Sequence, residues 1–170
     1  MRNIELKARL TDLDRARRIA TGLAAQRLEP QHQIDTYFHC RSGRLKLREI
    51  DGLTGQLIWY KRPDREGLKA SDYHLVAISD AEGLKVALAG ALGIRSVVEK
   101  RREIFLWRSV RIHLDEVIGL GAFLEFEAVL GPKVDETVGH AQVEELIGRF
   151  GIRPVDLISG SYGDMASGAI

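Results

Sequence analysis

Glu125-Phe126-Glu127 sets two carboxylates two residues apart. On a β-strand alternate side chains share a face, so both would project together. They repel unless a cation lies between them, and hard oxygen ligands suit Mg²⁺ or Mn²⁺, ions that bridge to phosphate oxygens. The same period of two gathers cations elsewhere: Arg44, Lys46 and Arg48; Lys100 and Arg102; and Arg111, followed on its face by His113 and Asp115. Near the N-terminus, Asn3, Glu5, Lys7 and Arg9 alternate with Ile4, Leu6, Ala8 and Leu10. One side of an antiparallel sheet often meets water, and solvation is one reading of these faces. They are, however, almost purely ionic. The other reading is a sheet curled around its charged face, with its apolar face outward under helices. Such an interior could not stay dry and unpaired, because burying many like charges is too costly. It would hold water and a polyanion, and a triphosphate with a metal ion fits that description.

Other chemistries lack their residues. The histidines at 32, 39, 74, 113 and 140 form no HExxH cluster. Gly119-x-Gly121 lacks the third glycine of a dinucleotide fingerprint, and no P-loop is present. Ser161 lacks a nucleophile-elbow context. The single cysteine, Cys40, allows neither an internal disulfide nor a Cys-based zinc site. His113 could touch a substrate or be an ordinary strand residue. Lys69, Ser71 and Tyr73 share a face that could reach an organic group or be equally ordinary.

The elements that would carry these residues read as strands interrupted by about three helices. The alternation at residues 3–10 is a strand. A helix follows from Asp12, a plausible N-cap, with apolar residues at helical spacing to Leu28 and a stop at Pro30. Residues 34–50 form a hairpin turning at Ser42-Gly43. Residues 57–62 and 71–78 are further strands. Ser79 with Glu82 would cap a second helix that stops at Gly93. Strands at 97–107, 110–117 and 123–129 come next, then a helix over 135–150 and a short one over 154–158. This order predicts an α+β fold in one domain spanning residues 1–170.

Length and charge agree. A chain of 170 residues with 25 Lys+Arg and 24 Asp+Glu, net charge +1, can bury a sizeable core and is not a general nucleic-acid binder. Its longest apolar run, residues 86–94, is too short to span a membrane, and the N-terminus is no signal peptide. A cytoplasmic location is expected. Oligomeric state is not legible.

The motifs together resemble the CYTH family, which includes class IV adenylate cyclases, thiamine triphosphatases and inorganic triphosphatases. The resemblance rests on Asn3-Ile4-Glu5-Leu6-Lys7, set against the family's Glu-x-Glu-x-Lys strand, and on Gln33 to Phe38, Gly43 to Glu49 and Tyr60-Lys61-Arg62-Pro63. It continues through Val98 to Arg102, Ile112 to Val117, Gly119 to Glu127, and Ser161-Tyr162. It implies an eight-stranded antiparallel β-barrel, a triphosphate tunnel, with three to four helices outside. It also implies that Lys7, Lys46, Arg48, Lys61, Lys100, Arg102 and Arg111 hold a small triphosphate or polyphosphate. Glu5, Glu125 and Glu127 would face Mg²⁺ or Mn²⁺, and Lys61, Arg102 and Asp115 would serve catalysis. The activity implied is triphosphate hydrolysis or adenylate-cyclase-type cyclisation. Asn3 departs from the pattern: an amide offers an oxygen without charge, which should weaken a metal site. A non-catalytic polyphosphate binder, or an enzyme of another phosphorylated substrate, therefore stands beside the enzyme reading. With Arg9 and Arg44 included, the expected inward face has nine cations against the four carboxylates Glu5, Asp115, Glu125 and Glu127.

Overall fold

The computed structural model describes residues 1–23 and 25–168. Its strands are β1 (Arg2–Leu10), β2 (Gln26–Arg27), β3 (Gln31–Phe38), β4 (Arg44–Ile50), β5 (Thr54–Lys61), β6 (Lys69–Ile78), β7 (Ile94–Trp107), β8 (Val110–Val117) and β9 (Gly121–Val129). The helices are α1 (Leu13–Gly22), α2 (Ala81–Leu92), α3 (Glu136–Phe150) and α4 (Tyr162–Ala166). Strands pair in the order β7-β3-β4-β5-β6-β1-β9-β8, and β8 returns to β7, closing an eight-stranded antiparallel barrel. The α+β barrel expected from the sequence is therefore present. β2 is an extra strand on the second half of β7, beyond the point where β3 begins.

The period of two in β1 decides which side is core. Ile4, Leu6 and Ala8 point outward and are almost completely buried beneath α1 and α3. They pack with Phe105, Ile112, Leu114, Leu124 and Phe126 from neighbouring strands, and with Val143, Leu146 and Phe150 from α3. Each such side chain contributes roughly 1.5–3 kcal/mol on burial. α3 lies so close that a Cβ on Gly139 would come within 2.9 Å of Leu130 Cδ2. The main hydrophobic core is thus outside the barrel wall, which leaves the inner face free for charge. α2 contributes little, since it rests over β3, β4 and β5 with no buried residue. Most of the burial on the apolar face therefore comes from α1 and α3.

Several boundaries differ from expectation for local reasons. α1 ends at Gly22 rather than at Pro30. Gln26 and Arg27 turn extended because β7 offers them a free edge, and Leu28 N–H donates to Ile104 C=O. The buried Glu103 carboxylate holds this region, accepting from Arg17 of α1 at 2.6 Å and Arg27 at 2.9 Å. Asp80, not Ser79, caps α2 by accepting from Gly83 N–H. Asp135 caps α3, accepting from Val138 N–H at 2.9 Å. The expected last helix is a 3₁₀ turn at Pro154–Asp156.

α4 was not foreseen. It carries Tyr162 into one end of the barrel, where Tyr37, Val98, Val117 and Phe123 form a second, inner apolar cluster. Gly163 is needed there, because a Cβ would lie 2.8 Å from the Tyr37 ring. Ser161 and Asp164 close a reciprocal capping box, and Asp164 also accepts from Arg44 and Arg95. This end is plugged. On β5 and β6 the inward residues leading away from the plug are Tyr60 then Ile58, and Tyr73 then Leu75, the last 38% exposed.

Candidate active site

The inner face encloses a cavity lined by seven cations, Lys7, Lys46, Arg48, Arg62, Lys100, Arg102 and Arg111, and three carboxylates, Glu5, Glu125 and Glu127. Beneath the lining lie two further carboxylates, Asp35 and Asp115, both fully buried.

Asp35, on β3, is a hub for three cations. It accepts from Lys46 Nζ at 2.9 Å, from Lys100 Nζ at 2.6 Å and from Arg48 through Nε at 2.7 Å and Nη2 at 2.9 Å. Register explains the convergence: Arg48 sits opposite Asp35 on β4, while Lys100 sits opposite Gln33, one inward step along β3. Burial alone would raise the Asp35 carboxyl, but Arg48, Lys100 and Lys46 outweigh it and hold it well below the usual range. Burial lowers Lys46 to about 8, with Arg48 adding to the shift and Asp35 opposing it. Lys100 moves down for the same first reason. Three cations share one carboxylate, so this wall retains unsatisfied positive charge directed at the cavity.

The second network centres on Arg102. Its guanidinium donates to both oxygens of Asp115, at 2.7 and 2.6 Å, and to Glu125 at 2.8 Å. Tyr162 O–H donates to Asp115 at 2.8 Å. Burial opposes ionisation of Asp115, yet Arg102 wins and its pKa falls to about 2. Lys7 Nζ lies 3.3 Å from Glu125 and 3.5 Å from the Tyr162 ring centroid, a cation–π contact. For Glu125 too burial would raise the pKa, but Lys7 and Arg102 help hold it well down.

The third network faces these from β1. Glu5 and Glu127 are opposite residues on β1 and β9, and Arg62 Nη1 is 2.6 Å from Glu5. Burial pushes the Glu5 carboxyl up, against the pull of Arg62. Arg111 lies 3.6 Å from Glu127. His113 Nδ1, Glu125 and Glu127 each offer a ligand atom, all within 4.8 Å of one another.

Lys7, Lys46, Arg48, Lys100, Arg102, Arg111, Glu5, Glu125 and Glu127 are therefore brought together. Lys61 is not: it is exposed and lies on an outer cleft with Arg44 and Arg95. Lys46 pairs across the sheet with Ile58, so the inward phase of β5 runs through Ile58 and Tyr60 to Arg62. Arg62 occupies the place assigned to Lys61. Asp115 sits behind the wall and orients Arg102 rather than reaching the cavity. Arg9 and Arg44 leave the inward set as well. Arg9 donates to Leu120 C=O near the plug, and Arg44 is held by Asp64 and Asp164. Lys69 is buried, with Nζ donating to the carbonyls of Arg65, Ile158 and Ser159, whereas Ser71 and Tyr73 do line the cavity. Sequence reasoning missed Asp35 and Arg62. The alternation of Gln33, Asp35 and Tyr37 was the available signal for the first.

The residues suit a divalent ion. Glu125 and Glu127 supply oxygens, and two polar atoms beside the cavity, His113 Nδ1 and Asn3 Oδ1, are buried with no hydrogen-bond partner. Among the described residues no helix is long and apolar enough to cross a membrane.

This arrangement has relatives. A Methanocaldococcus jannaschii protein, named as a presumptive adenylate cyclase (MJ0240), is 25% identical over 95% of this chain and 97% of its own. The PH1012 protein of Pyrococcus horikoshii has the same fold, with a TM-score of 0.83 at 24% identity over 95% of this chain and 98% of its own. A Hippeastrum protein described as an adenylyl cyclase candidate with a dominant triphosphatase activity superposes with a TM-score of 0.66 at 17% identity, over 96% of this chain and 93% of its own. The CYTH domain model matches residues 1–162, which include every strand and all of the cavity lining. The chain belongs to the CYTH domain family.

Proposed function

We propose that this protein binds a triphosphate compound inside the barrel and catalyses phosphoryl transfer from it, by hydrolysis or by cyclisation. The observation that carries the reading is the enclosed lining of seven cations against three carboxylates. A triphosphate would replace the missing negative charge. The Lys46–Arg48–Lys100 cluster carries more positive charge than the single carboxylate of Asp35 balances, and that surplus is available to phosphate oxygens. Arg102, fixed in plane by Asp115 and Tyr162, presents a preorganised donor to charge that develops in the transition state. A divalent ion held by Glu125 and Glu127 would supply Lewis-acid neutralisation of phosphate oxygens. Ile58, Tyr73 and Leu75 offer apolar surface on the side away from the plug, suited to the organic group of a triphosphate ester.

The names of the Methanocaldococcus and Hippeastrum proteins support both branches, cyclisation and triphosphate hydrolysis. A second reading, a polyphosphate binder without turnover, is supported by Asn3, whose uncharged Oδ1 stands where the family pattern has a carboxylate. A release assay separates them. ATP, thiamine triphosphate and tripolyphosphate are each supplied with Mg²⁺ or Mn²⁺, and phosphate, pyrophosphate and cyclic AMP are measured. Turnover of any supports the enzyme. Tight tripolyphosphate binding without turnover supports the binder, and absence of both defeats both.

A further inference from the structure

His113 has no place in the triphosphate network, yet it is one of the most enclosed polar residues of the barrel. It is 3% exposed, on β8, directly opposite Glu125 of β9. Its Nδ1 lies 3.7 Å from Glu125 Oε2 and 3.9 Å from Glu127 Oε1, too far for a hydrogen bond to either, and it has no other partner. A buried ring nitrogen left without a partner is costly, and here it is aimed at two carboxylates. The separations are only slightly wider than the roughly 3–3.5 Å expected between donors that share one ion at about 2.1 Å. Asn3 Oδ1, also unpartnered, is 4% exposed and lines the same cavity.

We infer that His113 Nδ1 is a direct ligand in the divalent-metal site of this protein, which makes the site a mixed nitrogen–carboxylate one that selects a first-row transition ion over Mg²⁺. The inference rests on the reading of Glu125 and Glu127 as metal-facing residues and refines it. Imidazole suits Zn²⁺, Fe²⁺ and Ni²⁺ best; Mn²⁺ shares the carboxylate preference of Mg²⁺ but, as a transition ion, accepts a nitrogen ligand beside its oxygens, whereas Mg²⁺ takes oxygen ligands and parts reluctantly with water. Asn3 pushes in the same direction. It withdraws one negative charge, on which a hard ion depends most, and the nitrogen ligand strengthens the bond only to ions that accept nitrogen. Glu125 is also claimed by Lys7 and Arg102, so an ion must compete with them for its oxygens. A strongly bonding transition ion competes better than Mg²⁺. Binding it would loosen the hold of Glu125 on two cations that face the cavity.

The test is Mn²⁺ binding to the full chain, alone and with tripolyphosphate, followed by calorimetry and by pulsed electron paramagnetic resonance. Expected are a ¹⁴N coupling on the bound Mn²⁺ and an affinity about tenfold or more above that for Mg²⁺. H113A and H113Q should remove the coupling and most of the preference for Mn²⁺ over Mg²⁺. Absence of the coupling in the native protein, or equal affinities for the two ions, overturns the inference, and neither result depends on a variant folding. Failure to bind Mn²⁺ at all also overturns it. Tripolyphosphate binding that persists in that case leaves the triphosphate reading standing, and its loss sinks both.

Discussion

Asp35→Asn removes the charge that Lys46, Arg48 and Lys100 share, and replaces it with a group of nearly the same shape. The cations stay buried. Breaking a buried pair from one side costs about 3–5 kcal/mol, because charge is left uncompensated. A second route gives a similar figure. A lysine of ordinary pKa, about 10.4, that sheds its proton at pH 7 does so at about 4.6 kcal/mol, from about 1.36 per pK unit. Burial has already brought Lys46 down to about 8, so part of that cost exists in the native protein and the lower half of the range is expected. At roughly 2–4 °C per kcal/mol for a domain of this size, the variant should melt about 6–16 °C lower. The loss should depend on pH. A lysine whose folded pKa is depressed binds fewer protons folded than unfolded, so stability rises with pH between the folded and unfolded values. The deficit of Asp35→Asn should therefore shrink between pH 7 and pH 10. Tripolyphosphate should restore the variant more than it stabilises the native protein, because the anion supplies the missing charge. The assay is thermal melting across this pH range, with and without tripolyphosphate. A melting temperature within 2 °C of native at pH 7, or weaker rescue by tripolyphosphate than in the native protein, would refute the hub argument.

Arg62→Ala should weaken tripolyphosphate binding about tenfold or more by calorimetry, while Lys61→Ala leaves it within about twofold; equal losses would mean that β5 presents the other face. Asn3→Glu adds a carboxylate beside the metal-facing pair and should tighten Mg²⁺ at least as much as Mn²⁺, and unchanged affinities would remove Asn3 from the ion's surroundings. Tyr73→Ala should cost ATP about tenfold in affinity but spare tripolyphosphate, if the organic group rests on that side. Tyr162→Phe deletes one donor to Asp115 and should lower stability by about 1–2 kcal/mol in urea melts; a larger loss of turnover than of tripolyphosphate affinity would show that the O–H also keeps Arg102 in register.

What the sequence carried was phase, and where phase was clean the site was legible. In β1 the strict alternation of Ile4, Leu6 and Ala8 with Glu5 and Lys7 fixes both the outer core and two inward charges without help from tertiary structure. Lys46, Arg48, Lys100 and Arg102 follow by the same rule. β5 lacked that alternation: Leu57-Ile58-Trp59-Tyr60 is apolar on both faces, so Lys61 and Arg62 could not be told apart locally. The deciding fact, Lys46 opposite Ile58, belongs to the neighbouring strand. Asp35 was hidden differently. A lone aspartate among Thr36, Tyr37 and Phe38 looks unremarkable until strand pairing brings it Arg48, Lys46 and Lys100. The carboxylates also changed roles on closure. Asp115 shares its face with Arg111 and His113, so parity placed it on the inward face, and the resemblance placed it among the catalytic groups. The barrel instead spends its charge on Arg102. In a closed charged interior, parity tells which residues face inward, while the pairings across the barrel decide which of them remain free to meet a ligand. Around Asp35, on β4 and β7, three cations divide one carboxylate, so that wall keeps a surplus of positive charge, while Arg111, 3.6 Å from Glu127, is the least tightly held cation of the lining.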